Sequence, residues 1–522
     1  MTSAREVRSS ARAALWQQRF AIFARQPPFL LLIALFAAAT VAATLDLARP
    51  VSRAMPDAAV TSLPAVRPLP PLFDSIAERT FRYFWDNADP ETGLVPDRHP
   101  SPSAASIAAV GFALTAYPVG VERGYVTRSE ARGRVLRTLR FFRNAPQGEA
   151  ASGTAGYKGF FYRFLDMKTG FRSGSVELST VDTALLLGGV LFSQSYFDGS
   201  DPGEAEIRRL AEEIYGRVDW RWAQERMPAI SHGWTPEELF LEYDWRGYNE
   251  AMLVYILALG SPTHPVAPAA WQEWERGYSR YWATVYGQTH LAFGPLFGHQ
   301  YSHVWVDFRG IADAAMRKAG FDYFENSRRA TYAQRAYAIA NPMRWIGYGE
   351  NVWGLTASDG AAEAELEFAG EKRRFRAYSE RGAGADTLDD GTIAPTAAAA
   401  SIAFAPEIAI PAVQEMYRRY GEHIFGKYGF YDAFNPSFDY DVPLAHGRRV
   451  PGLGWVASDY LGIDQGPIVA MIENHRSGLV WSVMRKNVHI RRGLLQAGFG
   501  GRGGAHRAER QDGAEQRAPE SG

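Results

Sequence analysis

The chain has 522 residues, a length that suits either two or more ordinary domains or one large toroid or barrel. Its formal net charge of −1 excludes whole-chain electrostatic attraction for nucleic acid, and the absence of cysteine excludes disulfides, thiolate nucleophiles and Cys-ligated zinc. With 46% hydrophobic and 22% charged residues, the body has the balance of a folded globule with ample apolar surface to bury.

At the N-terminus, Arg5, Arg8, Arg12, Arg19 and Arg25 precede an uncharged apolar run from Phe29 to Leu45, closed by Asp46. The run is roughly 17 residues, between a signal-peptide core of about 7 to 15 and a spanning helix of about 20. Ala37, Ala39 and Ala42 offer small-residue cleavage sites, whereas the Arg-rich leader suits an uncleaved helix with its N-terminus in the cytoplasm. Residues 1–47 are therefore expected to act as signal peptide or membrane anchor, and residues 48–71, rich in proline, as an extended linker. Both alternatives place the body in the periplasm, touching the membrane only through this segment.

From residue 72 the pattern is helix after helix. Ile76, Thr80, Tyr83 and Phe84 share a helical face, and further helices are predicted over 104–117, 129–142, 181–196, 204–218, 248–259, 269–285, 304–319, 324–340, 395–404, 407–420, 465–475 and 479–490. Residues 181–192 are apolar all round, as a buried helix should be, while 129–142 carries an Arg-rich face and belongs outside. Such alternation predicts an all-α fold, an (α/α)6 toroid of inner and outer helices over 72–495. The strand-like 363–378 reads as a small hairpin on its rim. Residues 496–522 lack apolar periodicity and are expected to be a disordered tail.

Candidate chemistry lies where loops lead into apolar helices. Glu177 and Asp182 flank the start of the most buried one. Ser179 and Asp182 also have the spacing of a capping box, which alone would account for the aspartate, whereas capping does not account for Glu177. A second cluster interleaves acids and aromatics: Trp234, Glu242, Trp245, Tyr248 and Glu250. That mixture suits sugars, since aromatic faces cover pyranose C–H faces and carboxylates take hydroxyl hydrogen bonds. The bland alternative is that the tryptophans are core and Glu250 a first-turn partner of the helix dipole. Asp166, His303, Asp307, Glu350, Trp353 and Asp389 complete the set of proposed sugar contacts. His299 and His303 have the i, i+4 spacing of a zinc pair, but no HExxH accompanies them, so neither metal nor cofactor is expected.

Five motifs in order resemble the bacterial glycoamylase-like family: the run Gly159 to Met167, Glu177-Leu178-Ser179-Thr180-Val181-Asp182-Thr183, Tyr248-Asn249-Glu250, Gly260-Ser261-Pro262-Thr263-His264-Pro265 and Thr356-Ala357-Ser358-Asp359-Gly360. The likeness covers about residues 72–492 and is similar to glycoside hydrolase family 144 endo-β-1,2-glucanases and to domains of cyclic β-1,2-glucan synthases. It implies an (α/α) toroid acting on an oligo- or polysaccharide, with β-1,2-glucan as the implied polymer. Arg163 stands where the family pattern leads one to expect histidine, and Ala361 where proline is common. Hydrolysis of a glycosidic bond requires a proton donor and a second carboxylate; the expected catalytic set is Glu177, Asp182 and Glu250, with Glu250 or Glu177 as acid and Asp182 as base, and Asp166, Glu242 and Glu350 as alternates. The rivals to hydrolysis are transglycosylation by the same residues and a non-catalytic, membrane-tethered glucan-binding protein.

Overall fold

The computed structural model describes residues 67–384 and 387–501. The leader, most of the linker and the tail beyond Gly501 lie outside the described residues. Six buried helices form an inner ring: Ile107–Glu122, Thr180–Tyr196, Met252–Gly260, Phe297–Trp305, Pro395–Ala399 and Gly462–Arg476. Alternating with them in sequence, and starting before the first, run outer helices Pro71–Asn87, Arg128–Asn144, Pro202–Gly216, Ala269–Glu275, Tyr323–Ala340 and Pro406–Ile424. This is the (α/α)6 toroid expected.

The sequence explains which helices go inside. Ile107–Glu122 and Thr180–Tyr196 are apolar on every face, so only a position surrounded by other helices removes them from water. They also approach unusually closely: a Cβ on Gly111 would meet the Leu185 carbonyl oxygen at 2.2 Å, and one on Gly189 the Gly111 carbonyl oxygen at 2.0 Å. Arg128–Asn144 buries only Ala131, Val135, Thr138, Leu139 and Phe142, and starts at a full capping box between Thr127 and Glu130. Gly462–Arg476 packs against both Ile107–Glu122 and Pro395–Ala399, which closes the ring, and Pro71–Asn87 covers that seam.

Three predicted spans differ. Residues 269–285 stay helical only to Glu275, then pass through a turn into the hairpin Trp282–Val285/Gln288–Leu291. Instead of one helix over 304–319, an inner helix ends at Trp305 and a separate short helix, Ala314–Ala319, starts where Asp313 accepts from the Met316 N–H at 2.8 Å. The span 479–490 divides where Asn487 caps Val488–Gln496, and this last helix lies along Met252–Gly260. The expected hairpin is present as Ala364–Phe368 paired with Glu371–Phe375. Ordered structure continues past residue 495: Phe499 packs on Trp271, and Gly500–Gly501 pairs with Ile311–Ala312. Among the described residues no helix is long and apolar enough to cross a membrane.

Candidate active site

Short ladders stitch the loops over the N-terminal ends of the inner helices. Ala105–Ser106 pairs with Phe164–Leu165, Leu178–Ser179 with Gly233–Thr235, Arg98–His99 with Tyr460–Leu461, and Ala357–Asp359 with Tyr378–Glu380. Strand residues alternate faces, so Glu177, Ser179 and Gly233 share one side, and Leu178, Trp234 and Phe240 the other.

On the first side, the buried Glu177 carboxylate lies 2.9 Å from Arg163 Nη2, and Arg163 Nε lies 3.4 Å from Asp182 Oδ2. Burial opposes the guanidinium charge, but the fields of Glu177 and Asp182 outweigh it and Arg163 is held more firmly protonated. Asp182 is the third residue of its helix. The Ser179 hydroxyl accepts from its N–H at 3.1 Å and donates to its Oδ2 at 2.5 Å, so the capping contact exists and also fixes the carboxylate toward Arg163. Glu250 precedes the helix Met252–Gly260 instead of lying in its first turn, so the dipole-partner reading does not apply; its carbonyl accepts from Ser302 Oγ at 3.0 Å. Tyr301 is also buried, on the inner helix Phe297–Trp305. Its phenol is pushed well up, first by burial and then by Asp464, Tyr378, Glu250 and Asp182, which all bear on one hydroxyl.

A second set of acids, missed in the sequence, completes this centre. Arg98 donates to Asp359 Oδ2 at 2.7 Å and Oδ1 at 3.2 Å, and Asp459 Oδ2 lies 3.4 Å from the same guanidinium. The Asp359 N–H donates to Asp432 Oδ2 at 2.6 Å, and Asp432 hydrogen-bonds in turn to Asp464, the third residue of the helix Gly462–Arg476. Burial first, then the Asp359 charge, pushes the Asp432 carboxyl up to about 7, and burial with Asp432 raises Asp464 well above the usual range. Asp432 Oδ1 and Asp464 Oδ2 are buried away from any N–H or hydroxyl donor. A proton shared between the two carboxyls supplies the missing donor and removes one of two facing charges. Asp97 is raised too, chiefly by burial, and is only partly shielded, with 21% of its side chain exposed. Arg381, fully buried, grips Asp390 at 2.7 and 2.8 Å and the Ser358 carbonyl at 2.7 Å, which fixes the strand carrying Asp359. Two hints stood in the sequence: Asp359 lies in the Thr356–Gly360 motif, and Asp464 and Asp182 occupy the same third place in two inner helices.

This pair makes stability depend on pH. A raised folded-state pKa stabilises the fold while protonated; the contribution is full below the unfolded value of about 4 and lost as pH rises through about 7. Asp464→Asn cannot ionise, so its melting temperature is expected to fall less than wild type between pH 5 and 8, by about 2 °C or more. Parallel melting curves across that range would rule out the shared proton.

The remaining predicted residues divide. Trp245 lies at the centre: its indole N–H donates to Thr180 Oγ1 at 2.9 Å and its ring stacks on His232 at 3.6 Å. Burial pulls His232 down to about 3, so this imidazole is neutral at working pH. Trp234 points to the other side of its ladder, against Tyr157 and Trp222. Asp389 is a buried acceptor for the Tyr337 and Tyr348 hydroxyls at 2.5 and 2.7 Å, and burial raises its carboxyl.

Seven expectations are corrected. Tyr248 is fully buried among Trp274, Tyr278, His299 and Tyr323, and Trp353 is core as well. His303 bonds Ser327 Oγ at 3.1 Å within the core, where burial lowers it to about 3. Asp307 lies past the opposite, C-terminal end of its inner helix, paired with Arg309 and Arg485. Asp166 is exposed and accepts from the Lys168 and Thr169 N–H groups, a turn-forming role. Glu350 is an exposed partner of Arg335. Glu242 is solvent-exposed, and no contact places it with the inner-helix acids.

The fold and the acid-lined ends of its inner helices are those of a carbohydrate-active (α/α)6 protein. The Glycoamylase family model matches residues 242–488. A candidate glucoamylase from Bacteroides uniformis of known structure is 32% identical, over 82% of this chain and 97% of that one, with a TM-score of 0.70. An endo-β-1,2-glucanase from Chitinophaga pinensis, solved with sophorotriose and glucose, is 29% identical over 82% of this chain and 98% of that one, also at 0.70. An exo-β-1,2-glucooligosaccharide sophorohydrolase acting at the non-reducing end, from Parabacteroides distasonis, is 28% identical over 455 residues, which are 81% of this chain and 57% of that one. This chain therefore spans less than two thirds of the length of that curated relative. The chain belongs to the glycoamylase-like family.

Proposed function

We propose that the chain is a glycoside hydrolase that cleaves β-1,2-linked glucan. The observation that carries this reading is the contrast between two groups of acids at the inner-helix ends: Glu177 and Asp182 share the Arg163 guanidinium, while burial and their mutual approach push the Asp432 and Asp464 carboxyls up. Glycosidic cleavage needs both states at once, one carboxyl to protonate the leaving oxygen and one carboxylate to act on water or on the anomeric carbon. Glu250, which precedes the inner helix Met252–Gly260 and whose charge bears on the Tyr301 hydroxyl, is assigned the donor. Asp182, oriented by Ser179 and Arg163, is assigned the base, with Glu177 fixing Arg163. The stacked His232 and Trp245 offer a flat face for a sugar ring beside them. A second assignment, favoured by the raised Asp464, makes Asp464 the donor and Glu250 a sugar contact.

The β-1,2 linkage rests on the Chitinophaga and Parabacteroides relatives, which also differ in attacking within chains or from their ends. Incubating the full chain with linear β-1,2-glucan, an α-glucan and a β-1,4-glucan, and separating the products by chromatography, tests the reading. Release from the β-1,2 polymer alone is expected. Cyclic or lengthened products would replace hydrolysis by transglycosylation, and no release from any polymer would leave a glucan-binding protein. The Arg-rich leader and apolar run further support a body working in the periplasm; recovery of the chain in the cytoplasmic fraction would refute that placement.

A further inference from the structure

The face of the ladder away from Glu177 carries a feature the reaction does not use. There Trp234 and Phe240, cross-strand neighbours, join Tyr157 and Trp222 around a groove of about 520 Å³. Ring centroids are 4.7 Å apart for Trp222–Phe240, 5.2 Å for Tyr157–Trp234, 5.4 Å for Tyr157–Trp222 and 5.9 Å for Trp222–Trp234. Tyr157, Trp222 and Phe240 keep part of their surface in solvent. The volume falls within the range of small-ligand sites.

The edge of the groove is polar. Glu149 accepts from the Tyr157 hydroxyl, Glu225 is exposed, and Arg226 is fixed by both Asp244 oxygens and by the Leu241 carbonyl. At the mouth, Leu239 is 62% exposed and held at a φ of 62°, a left-handed conformation that a branched side chain adopts at a cost. Aromatic walls with two carboxylates and one immobilised guanidinium suit a neutral polyhydroxylated ligand: rings for C–H faces, carboxylates and N–H groups for hydroxyls. An anionic chain would meet the two carboxylates, and a wholly apolar one would strand the polar edge without partners.

We propose that this groove is a second, non-catalytic carbohydrate site that holds a stretch of the same glucan while another stretch occupies the inner-helix centre. The inference rests on the glucan reading. Its two sites are separated by one ladder, Leu178–Ser179 with Gly233–Thr235, so a single polymer can engage both and gain effective concentration at the centre.

The test uses full-length Glu250→Gln protein, whose turnover is expected to be about 10²–10⁴-fold lower, titrated calorimetrically with β-1,2-glucooligosaccharides and run through gels containing the polymer. Trp222→Ala is expected to abolish one class of oligosaccharide site and to weaken retention by the polymer about fivefold to tenfold, the size of one lost aromatic contact. Trp222→Phe should keep most of that retention. Leu239→Asp, at an exposed position that leaves the core intact, should weaken it without touching the rings. Binding that neither Trp222→Ala nor Leu239→Asp alters, in protein that melts like its parent, overturns the proposal. Turnover by wild type together with such unaltered binding sinks only the second site; failure of wild type to bind or cleave any β-1,2-glucan sinks the glucan reading beneath it.

Discussion

Glu250→Gln is expected to lower turnover of β-1,2-glucan by about 10²–10⁴-fold, the contribution of a positioned proton donor. Glutamine keeps the size of the side chain and removes only the transferable proton, so binding of short β-1,2-glucooligosaccharides should change little. The loss should also depend on the leaving group. A β-sophoroside of a nitrophenol needs almost no protonation of its departing oxygen, so Glu250→Gln should retain far more of the wild-type rate on that substrate than on the polymer. If Asp464→Asn shows this rescue and Glu250→Gln does not, the donor is Asp464, and Glu250 holds sugar instead. Equal losses on both substrates for both variants would exclude either residue as the donor.

Arg163→Met should have the next largest effect, and on two properties together. It leaves Glu177 and Asp182, whose side chains are 10% and 9% exposed, facing one another without their shared cation. Removing one partner of a buried ion pair costs about 3 kcal/mol or more, because the remaining charge stays buried. Both losses are read directly: urea melts give the stability deficit, and steady-state rates on β-1,2-glucan give the fall in turnover. Wild-type turnover by Arg163→Met would separate Arg163 from the base. Arg163→His, the residue the family pattern leads one to expect, should work better below about pH 6, where imidazole is charged, than above it.

The toroid was largely legible because burial leaves a plain trace: Thr180–Tyr196 is apolar all round, and nothing but an inner position explains it. Phe297–Trp305 escaped notice for the opposite reason. It is wholly buried yet contains His299, Gln300, Ser302 and His303, and each makes a hydrogen bond inside: His299 to the Phe293 carbonyl, Gln300 to Ala397 and Ser401, Ser302 to the Glu250 carbonyl, His303 to Ser327. Hydrophobic periodicity cannot register polar groups whose partners come from distant helices. The same limit shaped the site. Glu177, Asp182 and Glu250 stand at starts of recognisable apolar helices, whereas Asp97, Asp359, Asp432 and Asp464 are brought together only by closure of the ring. Clustering of aromatics with acids also misled, since Tyr248 and Trp353 serve the packing between helix layers.

That closure bears on how the molecule is made. Gly462–Arg476 is the last inner helix to leave the ribosome, and it packs against the first, Ile107–Glu122. Val488–Gln496 follows it and covers Met252–Gly260, with a Cβ on Gly493 due to meet the Ile256 carbonyl oxygen at 2.0 Å. Two of the most apolar segments of the growing chain therefore wait for partners encoded hundreds of residues later, a burden of long-range contacts that slows folding and leaves sticky surface bare meanwhile. A nascent chain of this architecture depends on being shielded until its C-terminal helices arrive, and a premature stop near residue 460 yields not a smaller enzyme but an aggregation-prone fragment.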